Sequence, residues 1–297
     1  VGTTVAMKLV EDRYLVLDEP LHNYFPQFAG KWKDQVTARH LLTHSSGLPE
    51  YNRYWEIGLG PEQVLDHILS TELEYAPGTQ YVYSDLGMIL FTALAELTAG
   101  RDFSELASEW VFDPMGMSVT SYNPPAELLD RIIPTEVDQE GRTGLIHGEV
   151  HDGNTHFLGG VSAHAGAFSS ARELARLGVL YLGGGFIAGQ RLLEEETIEA
   201  FVQPQEMPAG SGRALGWQMA SSTAHAGGLL SESAFGHTGY TGTCIWIDPE
   251  KELIVVLLTN RVHPTRDNNR IRAVRQRFID EIVKALPGNE LKALAIR

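Results

Sequence analysis

Cysteine is all but missing from this chain: Cys244 is the only one among 297 residues. That excludes an internal disulfide and any cysteine-rich metal site. A chain without disulfides occurs on either side of a membrane, so the compartment stays open. Basic residues are scarce, 23 Lys and Arg against 38 Asp and Glu, for a formal net charge of −15. Long-range electrostatics therefore oppose contact with phosphate backbones or anionic lipid, and nucleic-acid binding is set aside. No apolar run reaches the roughly 20 residues of a membrane-spanning helix. Neither an internal repeat nor a low-complexity segment occurs, and no initiator Met or basic-then-apolar leader stands at the start. Val1, Val5, Leu9 and Val10 have helical spacing with nothing before them to cap a helix. The expectation is a helix entered part-way along, with the natural N-terminus and any targeting information upstream.

What is present is the make-up of an ordinary globular protein, 43% hydrophobic and 21% charged, long enough for one large core or two smaller ones. The helical pattern from Val1 stops at Pro20. Thr37 to Thr43 predicts a compact helix with Leu41 and Leu42 inward, closed by Ser45-Ser46-Gly47-Leu48-Pro49. Pro61 to Ser70 predicts another, with proline in its first turn. Tyr75-Ala76-Pro77-Gly78-Thr79 is a turn, and Tyr81-Val82-Tyr83-Ser84 leads into a long apolar helix from about Leu86 to Thr98. Loops and short helices fill 102 to 148, a Gly- and His-rich segment runs from His151 to Gly166, and helix returns over Ser170 to Leu182. The period then changes. Ala214 to Met219, Thr243 to Ile247 and Leu253 to Thr259 predict strands, the last two joined as an antiparallel hairpin, and Arg266 to Leu286 predicts a basic amphipathic closing helix.

Three segments stand in a telling order: Arg39-His40-Leu41-Leu42-Thr43-His44-Ser45-Ser46-Gly47-Leu48-Pro49, Tyr83-Ser84-Asp85 and His237-Thr238-Gly239. With His151-Asp152-Gly153-Asn154, Gly159-Gly160-Val161 and Leu258-Thr259-Asn260-Arg261, they resemble the signatures of the serine β-lactamase-like hydrolases. That group comprises class C β-lactamases, penicillin-binding proteins, D-alanyl-D-alanine peptidases, D-aminopeptidases and family VIII esterases. The resemblance spans nearly the whole chain. It implies a Ser-x-x-Lys motif at the start of a helix, whose serine attacks a carbonyl while the lysine helps remove its proton. No such motif is present: the residues three positions before the six lysines are Val5, Phe28, Gly30, Asp248, Glu281 and Asn289. The resemblance places the motif immediately upstream of Val1.

The resemblance also assigns roles. Tyr83-Ser84-Asp85 matches Tyr-x-Asn, whose phenol, with its pKa lowered by nearby cations, relays a proton. Asp85 in place of Asn keeps an acceptor but loses the amide donors that would meet a substrate carbonyl. His237-Thr238-Gly239 matches Lys-Thr-Gly, with Thr238 and Gly239 lying along the substrate. His237 would supply partial positive charge near Tyr83 or bind a substrate carboxylate. The backbone N–H of Tyr240 would form an oxyanion hole with that of the missing serine, at about 3 kcal/mol per donor.

Other constellations compete. His40 and His44 are spaced i, i+4, but Leu41 stands where a zinc hydrolase places its glutamate. His147, His151, Asp152, His156 and His164 form a denser cluster that a metal could gather, though the resemblance makes this loop a wall of the cleft. No metal and no cofactor are expected. Gly160-Val161-Ser162-Ala163-His164 comes close to Gly-x-Ser-x-Gly without its final glycine. Arg261 and Arg266 are candidates to clamp a substrate carboxylate, or are exposed arginines.

The expected fold is α/β, an antiparallel sheet flanked by helices with a mainly helical inserted domain, β-lactamase/transpeptidase-like and N-terminally incomplete. Residues 1–30 begin the α/β domain, 31–210 form the helical domain, and 211–297 supply the sheet and closing helix. The expected function is acyl-enzyme hydrolysis of an ester, D-amino-acid peptide or β-lactam, on a small-molecule or peptidoglycan-like substrate. The alternatives are a nucleophile-less binding relative and a metallohydrolase. Localisation and oligomeric state are not legible.

Overall fold

Nearly every residue of the first helix, α1 (Gly2–Glu11), faces protein: Gly2 to Met7 and Leu9 are all buried, as expected for a helix enclosed by its neighbours. The computed structural model describes residues 1–139, 141–142 and 144–287. The start of α1 is held closely. A Cβ on Gly2 would stand 2.4 Å from the carbonyl of Ala163, and one on Gly216 2.3 Å from Thr3. No helix among the described residues is long and apolar enough to cross a membrane.

Helix α2 (Ala38–Leu42) starts at Thr37, whose backbone N–H donates to His40 Nδ1 at 3.2 Å. Two helices follow. α3 (Val64–Ser70) is entered through a tight turn at Pro61, and α4 (Asp85–Ala99) is capped by the Ser84 hydroxyl, which accepts from Gly87 N–H at 3.0 Å. α4 ends at Gly100, whose φ of 67° is the left-handed geometry that favours glycine. α5 (Phe103–Ala107) packs beside it.

The next stretch is built from small pieces. β1 (Ser121–Tyr122) pairs with β4 (Ala167–Phe168), and β2 (Glu136–Asp138) with β3 (Gly144–Ile146). Helix α6 (Gly153–Phe157) lies among them. α7 (Ala171–Leu182), the hairpin of β5 (Phe186–Ile187) and β6 (Gln190–Arg191), and α8 (Glu195–Val202) complete this part.

The main sheet has the order β10-β9-β8-β7, antiparallel throughout, from β7 (Gln218–Met219), β8 (Phe235–Thr238), β9 (Cys244–Asp248) and β10 (Leu253–Leu257). Its pleat sends alternate residues to opposite faces. Ile254 abuts α7, where a Cβ on Gly178 would approach it to 2.7 Å. Val255 and Trp246 join Ile279 of α9 (Ile271–Lys284) in a buried cluster on the other face. Most of the other buried apolar side chains form one continuous cluster from Val5 to Ile247.

The expected helices and hairpin are present with shifted ends. The strand expected over Ala214–Met219 shrinks to Gln218–Met219. The chain folds back there, Ala214 N–H donating to Trp217 C=O at 3.0 Å around Gly216 with φ of 71°. The closing helix starts at Ile271 instead of Arg266, because Arg266 turns back to Glu136. α6 and α8 add to the elements expected from periodicity. The part of the expected 211–297 segment beyond 287 lies outside the described residues.

Burial holds the His40 imidazole at about 4, against 6.5 for an ordinary histidine, and pushes His44 well below its usual value. Both bind a proton more readily once unfolded. Their contribution is therefore complete above pH 6.5 and is lost as pH falls from 6.5 through about 4. Urea-unfolding midpoints are expected to drop across that window, with His40 accounting for at most about 3 kcal/mol. His40→Gln, which keeps an acceptor for the Thr37 N–H, flattens the pH slope. An unchanged slope in that variant would remove His40 from the account.

Candidate active site

The sheet and the helical part meet at a cleft of about 1070 Å³, whose wall includes Val1, Tyr83, Asp85, His164, His237 and Tyr240. His44 places Tyr83. Its backbone is left-handed, with φ of 54°, unusual for a residue with a side chain. In that conformation His44 C=O accepts from Val82 N–H at 3.0 Å, while its ring nitrogen Nδ1 accepts from Ser84 N–H at 3.2 Å. The ring packs on Tyr83 at 4.1 Å between centroids. Ser84 also donates through its hydroxyl to Pro49 C=O at 2.6 Å. The Tyr83-Ser84-Asp85 corner is thus fixed by the Arg39–Pro49 segment.

His237 faces Tyr83 from β8, 6.1 Å between ring centroids. Its Nδ1 meets Thr238 C=O at 3.0 Å and its Nε2 meets Arg213 Nη2 at 3.5 Å. A carbonyl can only accept and a guanidinium only donate, so the ring is neutral with its proton on Nδ1. Burial, then Arg213, lowers its pKa to about 3. A full positive charge stands beside His237 on Arg213, which motif spacing did not single out. Arg213 is 2% exposed, stands 5.7 Å from the Tyr81 ring centroid, and its Nε finds no hydrogen-bond partner among the described residues. A cue was available: an arginine just ahead of the apolar stretch Ala214 to Met219 is placed to enter the sheet edge.

Tyr83 departs from expectation in the same sense. Burial raises its phenol above the ordinary value, Asp85 adds to the rise, and Arg213 opposes it. Among the described residues, the only cation that lowers it is Arg213.

Beyond His237, Arg275 binds the carbonyls of Gly239 and Thr243, the latter at 2.8 Å, and Gly239 N–H donates to Thr243 C=O at 2.7 Å. A Cβ on Gly239 would meet Thr243 Oγ1 at 2.2 Å, which explains the glycine. Thr238 sits opposite Cys244 in the ladder. The Tyr240 ring is stacked 5.6 Å from His151 and lies beneath Arg261 at 4.2 Å. Its carbonyl accepts from Arg261 at 2.8 Å, and its N–H has no acceptor among the described residues. Arg266 is engaged with Glu136 at 2.8 and 2.9 Å. Neither arginine is a free carboxylate clamp.

Asp85 opens α4 beside Asp152 and His164. Burial raises the Asp85 carboxyl to about 6 against the pull of His164. In Asp152 burial is overcome by His164 and by the Thr155 N–H, and the carboxyl is held at about 2. Ser162 Oγ is 2.8 Å from His164 Nδ1, an arrangement that looks like a nucleophile and its base. Ser162 is 1% exposed and does not line the cleft, so no carbonyl can reach it. The i, i+4 pair of His40 and His44 is divided between Thr37 and Ser84.

Residues 1–277 match the model of the Beta-lactamase family. A protein of Escherichia coli K12 named "Putative D-alanyl-D-alanine carboxypeptidase" is 32% identical over 285 residues, 86% of this chain and 65% of its own length. One of the same name from Salmonella agona is 29% identical over 89% of this chain and 67% of its own. The chain thus spans about two thirds of the length of these relatives. A penicillin-binding protein homolog from Caulobacter crescentus has a TM-score of 0.70 at 19% identity, over 95% of this chain and 80% of that one. EstCE1, titled "a hydrolase with promiscuous acyltransferase activity", gives 0.67 at 20%, over 94% and 81%. At these identities the structures establish a shared fold.

Replacing Arg213 with methionine removes the charge facing His237 Nε2. The His237 pKa is expected to rise from about 3 towards 6.5, as read by NMR titration of the ring nitrogens. A titration that stays at its original pH would show that Arg213 does not set the state of this imidazole.

Proposed function

The chain belongs to the β-lactamase family, a family of serine hydrolases, and from that premise we propose that it catalyses acyl transfer to water through an acyl-enzyme. Among ester, β-lactam and D-amino-acid peptide carbonyls, we favour the peptide. The observation that carries this reading is the convergence of Tyr83, His237 and the unpaired N–H of Tyr240 on one cleft that the start of α1 also lines. The choice of peptide is supported by the names of the relatives and by the departure of Asp85 and His237 from the common β-lactamase residues.

In this reading a Ser-x-x-Lys element adjoining Val1 on the α1 helix supplies the nucleophile and a lysine. The serine oxygen attacks the carbonyl, and the Tyr240 N–H, with that of the serine, stabilises the oxyanion. The lysine takes the hydroxyl proton as the serine attacks, and Tyr83, protonated at rest, passes its proton to the leaving group and regains one from the lysine. His237 stays neutral and hydrogen-bonded, while Arg213 behind it supplies the cationic field for a substrate carboxylate lying along Thr238 and Gly239. Asp85 presents an acceptor to a substrate N–H. The cleft divides the α/β part, 1–30 with 211–297, from the helical part, 31–210. A nucleophile-less relative that binds peptidoglycan fragments is the second reading, motivated by the lack of Ser-x-x-Lys in the sequence.

Sequencing the N-terminus of the native protein and weighing it before and after a fluorescent penicillin or fluorophosphonate separates the two. The expected result is a gain of one acyl group, formed about 10²- to 10⁴-fold more slowly in Tyr83→Phe. A native protein that contains Ser-x-x-Lys and never gains that mass defeats the hydrolase reading. Tight fragment binding without turnover, in a native chain lacking the motif, favours the binding relative.

A further inference from the structure

Three side chains from separate parts of the sequence converge on the cleft wall near Tyr83: Asp85 at the start of α4, Asp152 capping α6, and His164 in the loop before β4. One donor atom from each lies within 4.8 Å of the other two. His164 Nε2 stands 3.7 Å from Asp152 Oδ1 and 3.9 Å from Asp85 Oδ1. Both distances are beyond a hydrogen bond. The His164 side chain is only 6% exposed, and its Nε2 is buried with no hydrogen-bond partner among the described residues.

The neighbouring hydrogen bonds give the imidazole its tautomer. Thr92 Oγ1 donates to Met88 C=O at 2.9 Å, so towards Ala163 N–H at 2.9 Å and Ser162 Oγ at 3.2 Å it can only accept. The Ser162 hydroxyl therefore spends its proton on Thr92, and its lone pair accepts from His164 Nδ1 at 2.8 Å. With Nδ1 as donor, Nε2 is the atom turned towards the two carboxylates. Burial opposes a proton on this ring, but Asp152 and Asp85 outweigh it, so a metal ion would take the place of the Nε2 proton.

We propose that Asp85, Asp152 and His164 form a binding site for one divalent transition-metal ion such as zinc, on the wall of the cleft. An imidazole with two carboxylates is a donor set that suits such ions. Bonds of about 2.1 Å place ligand atoms roughly 3 to 3.5 Å apart, so the two His164 spacings of 3.7 and 3.9 Å, and the carboxylate pair within 4.8 Å, must all draw in on an ion. Asp152 Oδ1 also accepts from Thr155 N–H at 2.7 Å, which orients it. The Ser162–Thr92 chain does the same for His164, as supporting partners do in metal sites. All three residues line the cleft, so the remaining coordination positions open onto it.

Only two members of the histidine-rich loop take part. His147 bonds the carbonyls of Leu129 and Ile132, His151 bonds Glu136 at 2.6 Å, and His156 faces Glu149 at 3.5 Å. The third ligand comes from the Tyr-x-Asn position, where aspartate replaces asparagine. Ion binding needs no nucleophile, so the proposal shares Asp85 with the acyl-transfer reading but is tested without turnover.

The test is calorimetric titration of untagged, chelator-treated protein with zinc chloride, and with cobalt chloride followed by visible absorption. One ion per chain is expected. Asp85→Asn, which preserves shape, and His164→Gln are each expected to weaken it by at least about 10-fold. His156→Gln is expected to leave it unchanged, and circular dichroism melting checks that each variant is folded. Absence of binding, or binding equally tight in folded Asp85→Asn and His164→Gln, overturns the proposal.

Discussion

The hydrogen bond from the Ser84 backbone to the ring of His44 is the contact on which the cleft depends. It joins the loop after α2 to the first residue before α4, and it does so through a residue whose own backbone is left-handed. A non-glycine residue in that conformation persists where its surroundings over-determine it. Here the surroundings are the Val82 and Ser84 bonds and the face of Tyr83. Because α4 is anchored by its buried apolar face, the same contact sets where Tyr83 and Asp85 project. One corner thereby presents a phenol to the sheet and a carboxylate to the helix-capping loop.

Charge in the cleft is sorted into two zones. On the sheet side Arg213 lies buried with no carboxylate partner among the described residues, against a neutral His237 and a phenol that burial holds in its protonated form. On the loop side two carboxylates share one imidazole. A buried cation without a counter-ion is costly unless a ligand or function retains it. The same holds for a buried ring nitrogen without a hydrogen-bond partner. The two zones flank Tyr83, so a substrate crossing the cleft meets positive potential at one end and negative at the other.

The outer wall is made differently. Glu136, buried in the short strand β2, gathers His151 and Arg266, while Arg261 and His151 enclose the ring of Tyr240. Glu136 and Arg266 are 130 positions apart and His151 and Tyr240 are 89, so these contacts tie the loops around β2 and α6 to the edge of the sheet. Motif residues stand on helix starts and on a strand, but the shape of the mouth is set by such loops, which is where selectivity among acyl substrates is decided.

Much of this was legible before the coordinates. Amphipathic spacing marks α1, α4 and α7 and alternation marks β9 and β10, because local periodicity and turn chemistry are written into neighbouring residues. Tyr83, His237 and Tyr240 are singled out only by the resemblance of short motifs to a known family, and all three line the cleft. What tertiary structure alone decided are quantities that depend on residues distant in sequence. The neutrality of His237 depends on Arg213, 24 positions away, and the anchoring role of His44 on Ser84, 40 positions away. The meeting of Asp85 with His164 and the burial of Ser162 beneath it belong to the same class. Protonation and reactivity follow the local dielectric and the nearest charges, and both are properties of the packed chain rather than of any segment of it.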